Sequence, residues 1–269
     1  MIKMEPAPLA PDEFLLNVWL YEDDQYQSVY VSETSQNLAE LQVEIGKIVH
    51  ACHQKLRQPF AEVGLEFLLP TELLNCDLDT WRIPVGRRSR SLGSRYEVVV
   101  RSLNRIYDSD YKPVWSTWKK KWQDCPSPPA VVTDSGVYWA SPDQDGDDQL
   151  YNALERTPYI FVAQGTWSAG SSAVHDVIET ILDSGIPIAL WFRHAADATA
   201  TAVDVDPVQL RDLVYQSPLR ELPQRILNKR KDAVATATPE SLWQQVVLLW
   251  DDPERLPPDV AFNLQTPET

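Results

Sequence analysis

Cysteine is scarce in this chain: Cys52, Cys76 and Cys125 are the only three in 269 residues, and they form no CxxC pair. That spacing argues against a disulfide framework and a cysteine-held zinc site, and leaves reduced thiols as the expectation. No apolar run approaches the length needed to span a bilayer. The opening MIKMEPAPLAPDE has no apolar core of the signal-peptide kind, so a cytoplasmic protein without membrane contact is expected. The phosphate-loop and dinucleotide glycine patterns are missing, and so is the Gly-x-Ser-x-Gly elbow of hydrolases. No cofactor is expected.

What is present reads as a globular α/β protein. Hydrophobic residues make up 43% and charged residues 23%, close to globular averages. The stretch from Tyr159 to Arg193 organises the rest. Tyr159 to Ala163 is apolar, β-branched and aromatic, which predicts a buried strand. Val174, Val177, Ile178, Ile181 and Leu182 then recur at steps of three and four, one face of a helix that Gly185 stops. Ile186 to Phe192 predicts a second strand. Strand, helix and strand in so short a span predict a βαβ unit with a parallel pair. The fold class expected is α/β: a central mixed, mostly parallel sheet flanked by helices.

Elsewhere, Phe14 to Tyr21 and Tyr26 to Val31 predict an N-terminal β-hairpin. A long helix follows Ser35 and ends by Pro59, with Leu38, Leu41, Val43, Ile45, Ile48, Val49, Cys52 and Leu56 mostly on one side. Strands are predicted at Leu65 to Leu69, Tyr96 to Val100, Val137 to Ala140 and Val246 to Trp250. A weaker one at Trp81 to Val85 is cut by Pro84 and reads as an edge. Arg87 to Arg95 has the composition of a mobile basic loop. Tyr111 to Gln123 predicts a Trp-rich helix. Asp206 caps a helix with Pro207 at its first position, and Leu222 to Ala235 predicts a basic helix. By this reading residues 1–13 are a linker, 14–258 one α/β domain and 259–269 a tail.

Charge is unevenly placed. The net value is −15, yet Arg82 to Lys121 holds eleven Lys/Arg against Glu97, Asp108 and Asp110, a net of +8. The other thirteen basic and 36 acidic residues leave −23 outside that window. Such a split governs partner choice more than fold. It points to a docking face for an acidic partner, with Arg87, Arg88, Arg90, Arg95, Arg101, Lys119, Lys120 and Lys121 as its residues. Nucleic acid is not the expected partner, because overall basicity and a known binding fold are lacking. Ten tryptophans would serve mostly the core, with some at a partner surface.

For chemistry, open α/β sheets bind ligands outside the carboxyl ends of their strands. That rule gathers Glu72, Arg193, Asp251 and Asp252 as an alternative catalytic set, acids or metal ligands with a guanidinium to stabilise negative charge. The loop GTWSAGSS, with Gly165, Thr166, Ser168 and Ser171, could hold an anion at a helix N-terminus; a plain cap is the simpler reading. Asp143, Asp145, Asp147 and Asp148 resemble part of a calcium loop, but the twelfth position is Leu154. His50 and His53 sit three apart with no carboxylate motif to complete a metal site.

Several segments resemble one family. LEFLLPTELLNCDLDTWRI (65–83), SRYEVVVRSLNRI (94–106), LDSGIPIALWFR (182–193), LPQRILNKRKDAV (222–234) and VVLLWDDPERLPP (246–258) are similar to the C-terminal domain of vWA-MoxR associated proteins of bacterial conflict systems. The resemblance implies protein partners: a MoxR-type AAA+ ATPase, a vWA protein and an effector such as a protease. A non-enzymatic relay module is the function it favours. FLLPTELL is also similar to a segment of caspase-like CHAT proteases, whose chemistry needs a His–Cys dyad. Cys76 and Cys125 are the cysteines it would fall to, and neither sits in a His-Gly or acidic-x-Cys pattern.

Overall fold

A computed structural model describes residues 1–22, 25–55, 63–85, 88–127, 130–141, 148–156, 158–167, 172–193, 206–216, 218–235 and 242–263. Among these, the strands are β1 (Ile2–Ala7), β2 (Ala10–Glu22), β3 (Gln25–Val31), β4 (Gly64–Leu69), β5 (Arg82–Val85), β6 (Arg88–Ser91), β7 (Glu97–Ser102), β8 (Val137–Ala140), β9 (Ile160–Trp167), β10 (Ile188–Arg193) and β11 (Val246–Trp250). The helices are α1 (Leu38–Lys55), α2 (Leu103–Tyr107), α3 (Trp115–Asp124), α4 (Asp148–Arg156), α5 (Ser172–Asp183), α6 (Pro207–Tyr215), α7 (Leu222–Ala235) and α8 (Pro258–Asn263). Nine of the described strands form one sheet in the order β3-β2-β1-β4-β7-β11-β10-β9-β8, and β5 and β6 form a separate antiparallel pair. The α/β class, the mostly parallel sheet and the N-terminal hairpin are as the sequence predicts.

The centre of the sheet is apolar on both faces, so its strands read as unbroken apolar runs. Alternation sorts their side chains nonetheless. Phe161, Ala163, Ala189, Trp191, Val247 and Leu249 join α1, α4 and α5 in one core. Ile160, Val162, Ile188, Leu190, Phe192, Val246 and Leu248 join α6 and α7 in the other. The β9–α5–β10 unit has the predicted parallel pairing. Gly185 stops α5 at φ +70°, where an added Cβ would lie 3.0 Å from the Trp118 amide nitrogen. The cap of α1 is Asn37. The Asn37 Oδ1 accepts from the amides of Ala39 and Glu40, and Glu40 Oε2 accepts from the Asn37 amide, a reciprocal box. The predicted cap and first-position proline of α6 are both present, with Asp206 accepting from the Val208 amide.

Three expectations need correction. Residues 2–7 are not a linker: β1 pairs with β2 and β4, and Ile2 and Met4 are buried. Its proline and acid are compatible with a strand because Glu5 and Pro6 are exposed, late in β1, after the buried residues 2–4. The tail is not free at 259, since Asp259 in α8 accepts a 2.8 Å hydrogen bond from buried Lys3. The basic loop is in part β6, antiparallel to β5 from Arg82↔Ser91 to Val85↔Arg88; Arg87 falls outside the described residues. So do Asp143, Asp145 and Asp147, and the end of the long helix beyond Lys55.

One joint decides where any site can be. β10 and β11 are antiparallel, while β11 runs parallel to β7 and β4 and β10 runs parallel to β9. The parallel strands therefore fall into two blocks of opposite polarity, β1, β4, β7 and β11 in one and β8, β9 and β10 in the other. The carboxyl ends of β4, β7 and β11 emerge at one edge, and those of β8, β9 and β10 at the other.

Candidate functional site

Arg193 and Asp251 consequently do not meet. Asp251 stands beside the start of β10, its amide donating to the Pro187 carbonyl, whereas Arg193 ends that strand and donates its amide to Gln245, just before β11 begins. At about 3.3 Å per residue they are on the order of 20 Å apart along the strand pair. Glu72 is exposed in a short 3₁₀ turn after β4. Asp252, half-buried beside Asp251, has Oδ1 accepting from the Glu254 amide, and burial raises its pKa. The four residues share no common point.

Each polar end of the sheet instead holds its own buried cluster. At the first edge, Asp251 is 0% exposed and receives Arg105 Nη1 at 2.9 Å and Arg101 Nε at 3.5 Å. Arg105 also donates to the carbonyls of Ile181, Leu182 and Ile186, closing the C-terminal end of α5. Trp118 Nε1 donates to the Asp251 carbonyl at 2.7 Å, and its ring lies 5.4 Å from the Arg105 guanidinium. Arg101 reaches on to the carbonyls of Asp252 and Arg255 and to Glu66. Burial lowers the Arg105 pKa and the facing Asp251 carboxylate opposes that. At the opposite edge, buried Asp79 binds Arg193 through Oδ1 and Arg230 through Oδ2, the latter at 2.9 Å. Arg193 also donates to the Cys76 carbonyl, and Arg230 to the carbonyl of Val246.

The basic window is thereby divided. Arg101 and Lys121 do not belong to a docking face; both are buried, and with Arg105 they serve the interior. Lys121 donates to the carbonyls of Leu154 and Ser184, at the ends of α4 and α5. Arg95 is half-buried with the Tyr96 hydroxyl as a partner. Arg82, Arg88 and Arg90 are exposed on the β5–β6 hairpin, and Lys112, Lys119 and Lys120 are exposed on and before α3. The two exposed groups sit at different edges, because the hairpin packs by Asp79 and Arg230 while α3 is bonded to Asp251. Sequence spacing carried no sign of this division, since buried and exposed cations look alike in composition.

Lys121 gives a measurable pH signature. Burial lowers its pKa from 10.5 to about 8, with Arg105 adding repulsion. Between those values the unfolded chain holds one more proton than the folded one, so stability rises with pH. Denaturant titrations at pH 7.5 and 10 are expected to show wild type gaining on the order of 2–3 kcal/mol relative to Lys121→Met. Parallel profiles for the two proteins would remove Lys121 as the cause.

Neither candidate cysteine, Cys76 or Cys125, has a thiol activated for attack. Burial raises the pKa of the Cys76 thiol and pushes that of Cys125 up to about 12, where a nucleophilic thiol needs a lowered one. Two cavities are prominent. One of about 540 Å³ is lined by Glu66, Glu97, Asp252, Arg255 and aromatic residues of the hairpin strands. Glu66 there is bound to Arg255 at 2.7 Å, and burial raises the pKa of Glu97. The other, of about 480 Å³, lies behind the basic hairpin. Among the described residues no group of three His, Cys, Asp or Glu is placed to hold a metal ion. Gly165 and Thr166 belong to β9, and Ser168 and Ser171 lie outside the described residues. No described helix is long and apolar enough to cross a membrane.

A family model described as "vWA-MoxR associated protein C-terminal domain" matches residues 12–253. No curated protein and no solved structure matches the chain.

Proposed function

From its membership of the vWA-MoxR associated protein C-terminal domain family, we propose that this chain is a non-enzymatic interaction module. It couples a MoxR-type AAA+ ATPase and a vWA protein to an effector, such as a protease, within a cytoplasmic bacterial defence system. The carrying observation is the β5–β6 hairpin, which presents Arg82, Arg88 and Arg90 to solvent from outside the main sheet. An arginine cluster of this kind on a chain of net charge −15 attracts an acidic partner surface and orients the encounter. Lys119 and Lys120 on α3 offer a second, separate contact that a bridging module can use for another partner. Half-buried Trp115, whose ring lies 5.7 Å from the Lys119 ammonium, supplies apolar area beside the second contact.

The hydrolase and CHAT-like peptidase alternatives draw less support. Glu72, Arg193, Asp251 and Asp252 are scattered over two edges, and both candidate thiols are held protonated.

The test is association with the co-encoded ATPase and vWA protein, measured by titration calorimetry at two ionic strengths. Arg88→Glu with Arg90→Glu is expected to weaken binding of one partner by about tenfold or more, with a lower salt dependence. Unchanged affinity for every co-encoded partner would sink the docking role of the hairpin.

A further inference from the structure

We propose that the cavity behind the β5–β6 hairpin is a binding site for the phosphate group of a small phosphate monoester. The proposal goes beyond the relay reading and does not depend on it. Asp79, Thr80, Arg82, Ser89, Arg90, Ser91, Ser94 and Arg230 give this cavity its polar wall. Three guanidiniums thus face one carboxylate, and that carboxylate is already shared between Arg230 and Arg193 behind it. The wall carries an excess of positive charge in a strongly acidic chain, which suits a doubly charged anion.

The donor inventory agrees with the charge. Arg230 is 3% exposed, and its Nε and Nη2 are spent on the carbonyls of Trp243 and Val246 and on Asp79. Among the described residues its Nη1 has no hydrogen-bond partner. That nitrogen is closed off from solvent against Gly93, so an anion in the cavity would meet Arg230 through its charge and would take its hydrogen bonds from the exposed hairpin arginines. Gly93 is what lets the chain lie so close: a Cβ there would come within 3.0 Å of Nη1 and 2.9 Å of the Asp79 Cβ. Arg82 holds the hairpin in shape by donating to the Ser89 carbonyl at 2.9 Å. Arg90 remains exposed, and the hydroxyls of Ser91 and Ser94, 2.8 Å apart, stand on the same wall. All the cations are arginines, whose planar forks match phosphate oxygens two at a time.

The size and the rest of the lining narrow the ligand. A volume of about 480 Å³ exceeds what a bare phosphate needs and lies in the range of small-molecule sites. Among the described residues, the apolar side chains on the wall are Ala233 and Val234, with no aromatic ring. A nucleobase would find nothing to stack on, so a compact polar ester, such as a sugar phosphate, fits better than a nucleotide.

Titration calorimetry of the whole chain, at ionic strength fixed with chloride, tests this with inorganic phosphate, a hexose 6-phosphate, AMP and a phosphoserine peptide. Inorganic phosphate is expected to bind with Kd in the millimolar range or tighter, and the hexose phosphate more tightly. Arg82→Gln and Arg90→Gln, both on the exposed hairpin, are each expected to weaken it about fivefold to tenfold. Circular dichroism of these variants checks that the fold is intact. No binding of either phosphate or hexose phosphate at about 10 mM overturns the site, as does binding that both variants leave unchanged. A marked preference for AMP or for the peptide overturns the assignment to a small ester. Because no partner protein is present, failure of the relay reading leaves this outcome untouched.

Discussion

Asp251→Asn is expected to destabilise the protein by about 3–5 kcal/mol, the range for breaking a buried ion pair from one side. Asp251 is wholly buried and is the carboxylate that Arg105 meets at 2.9 Å. Without its charge, Arg105 and Arg101 remain inside as guanidiniums with nothing to balance them beyond backbone carbonyls and Glu66. The asparagine keeps the shape, so the loss reports charge and not a cavity. Arg105 cannot simply be removed in compensation, because it closes three carbonyls at and after the end of α5. Arg105→Met combined with Asp251→Asn should therefore recover only part of the loss, with a coupling energy of about 1–3 kcal/mol in a double-mutant cycle. Urea unfolding of the four proteins measures it. A single-variant cost below about 1 kcal/mol would mean that water or backbone already solvates the arginines.

The same cluster marks what could be read from sequence and what could not. Strands β4, β7, β9, β10 and β11 and helices α5, α6 and α7 announce themselves, because apolar runs and three-and-four spacing follow from what each element must bury. The polarity of β11 does not announce itself in its own residues. A clue lay in the connection: a single helix, α5, separates β9 from the parallel β10, whereas both α6 and α7 separate β10 from β11. Two helices take the chain out and back to the edge it left, and Arg230 late in α7 touches the Val246 carbonyl at the start of β11. Counting helices between strands would have predicted the antiparallel joint and so split the candidate catalytic set. The burial of Arg101, Arg105 and Lys121 was hidden for a different reason. A cation in a basic run shows nothing of its partners, and here those are Asp251, 146 residues from Arg105, and helix-end carbonyls far along the chain. Proline misled in the other direction at β1, where pairing on both sides outweighs local composition.

Asp79→Ala is expected to cost at least as much as the change at Asp251, about 3–5 kcal/mol, while Glu72→Ala, seven residues earlier, stays within about 0.5 kcal/mol. Both acids follow β4 in one short segment, and both look like loop carboxylates in sequence. Glu72 is exposed. Asp79 is 6% exposed and divides its two oxygens between Arg193, from the end of β10, and Arg230, from α7. It therefore ties three separate parts of the chain, and its removal leaves two buried guanidiniums facing each other without a counter-charge. Repulsion between them should open the contact between α7 and the 92–94 turn, where Gly93 is packed against Asp79 and Arg230. Amide hydrogen exchange should then accelerate first in α7 and β5–β6 of the Asp79 variant, with α5 and β9 least affected. Uniform acceleration across the sheet, or a stability change no larger than that at Glu72, would show that Asp79 is not what holds this edge together.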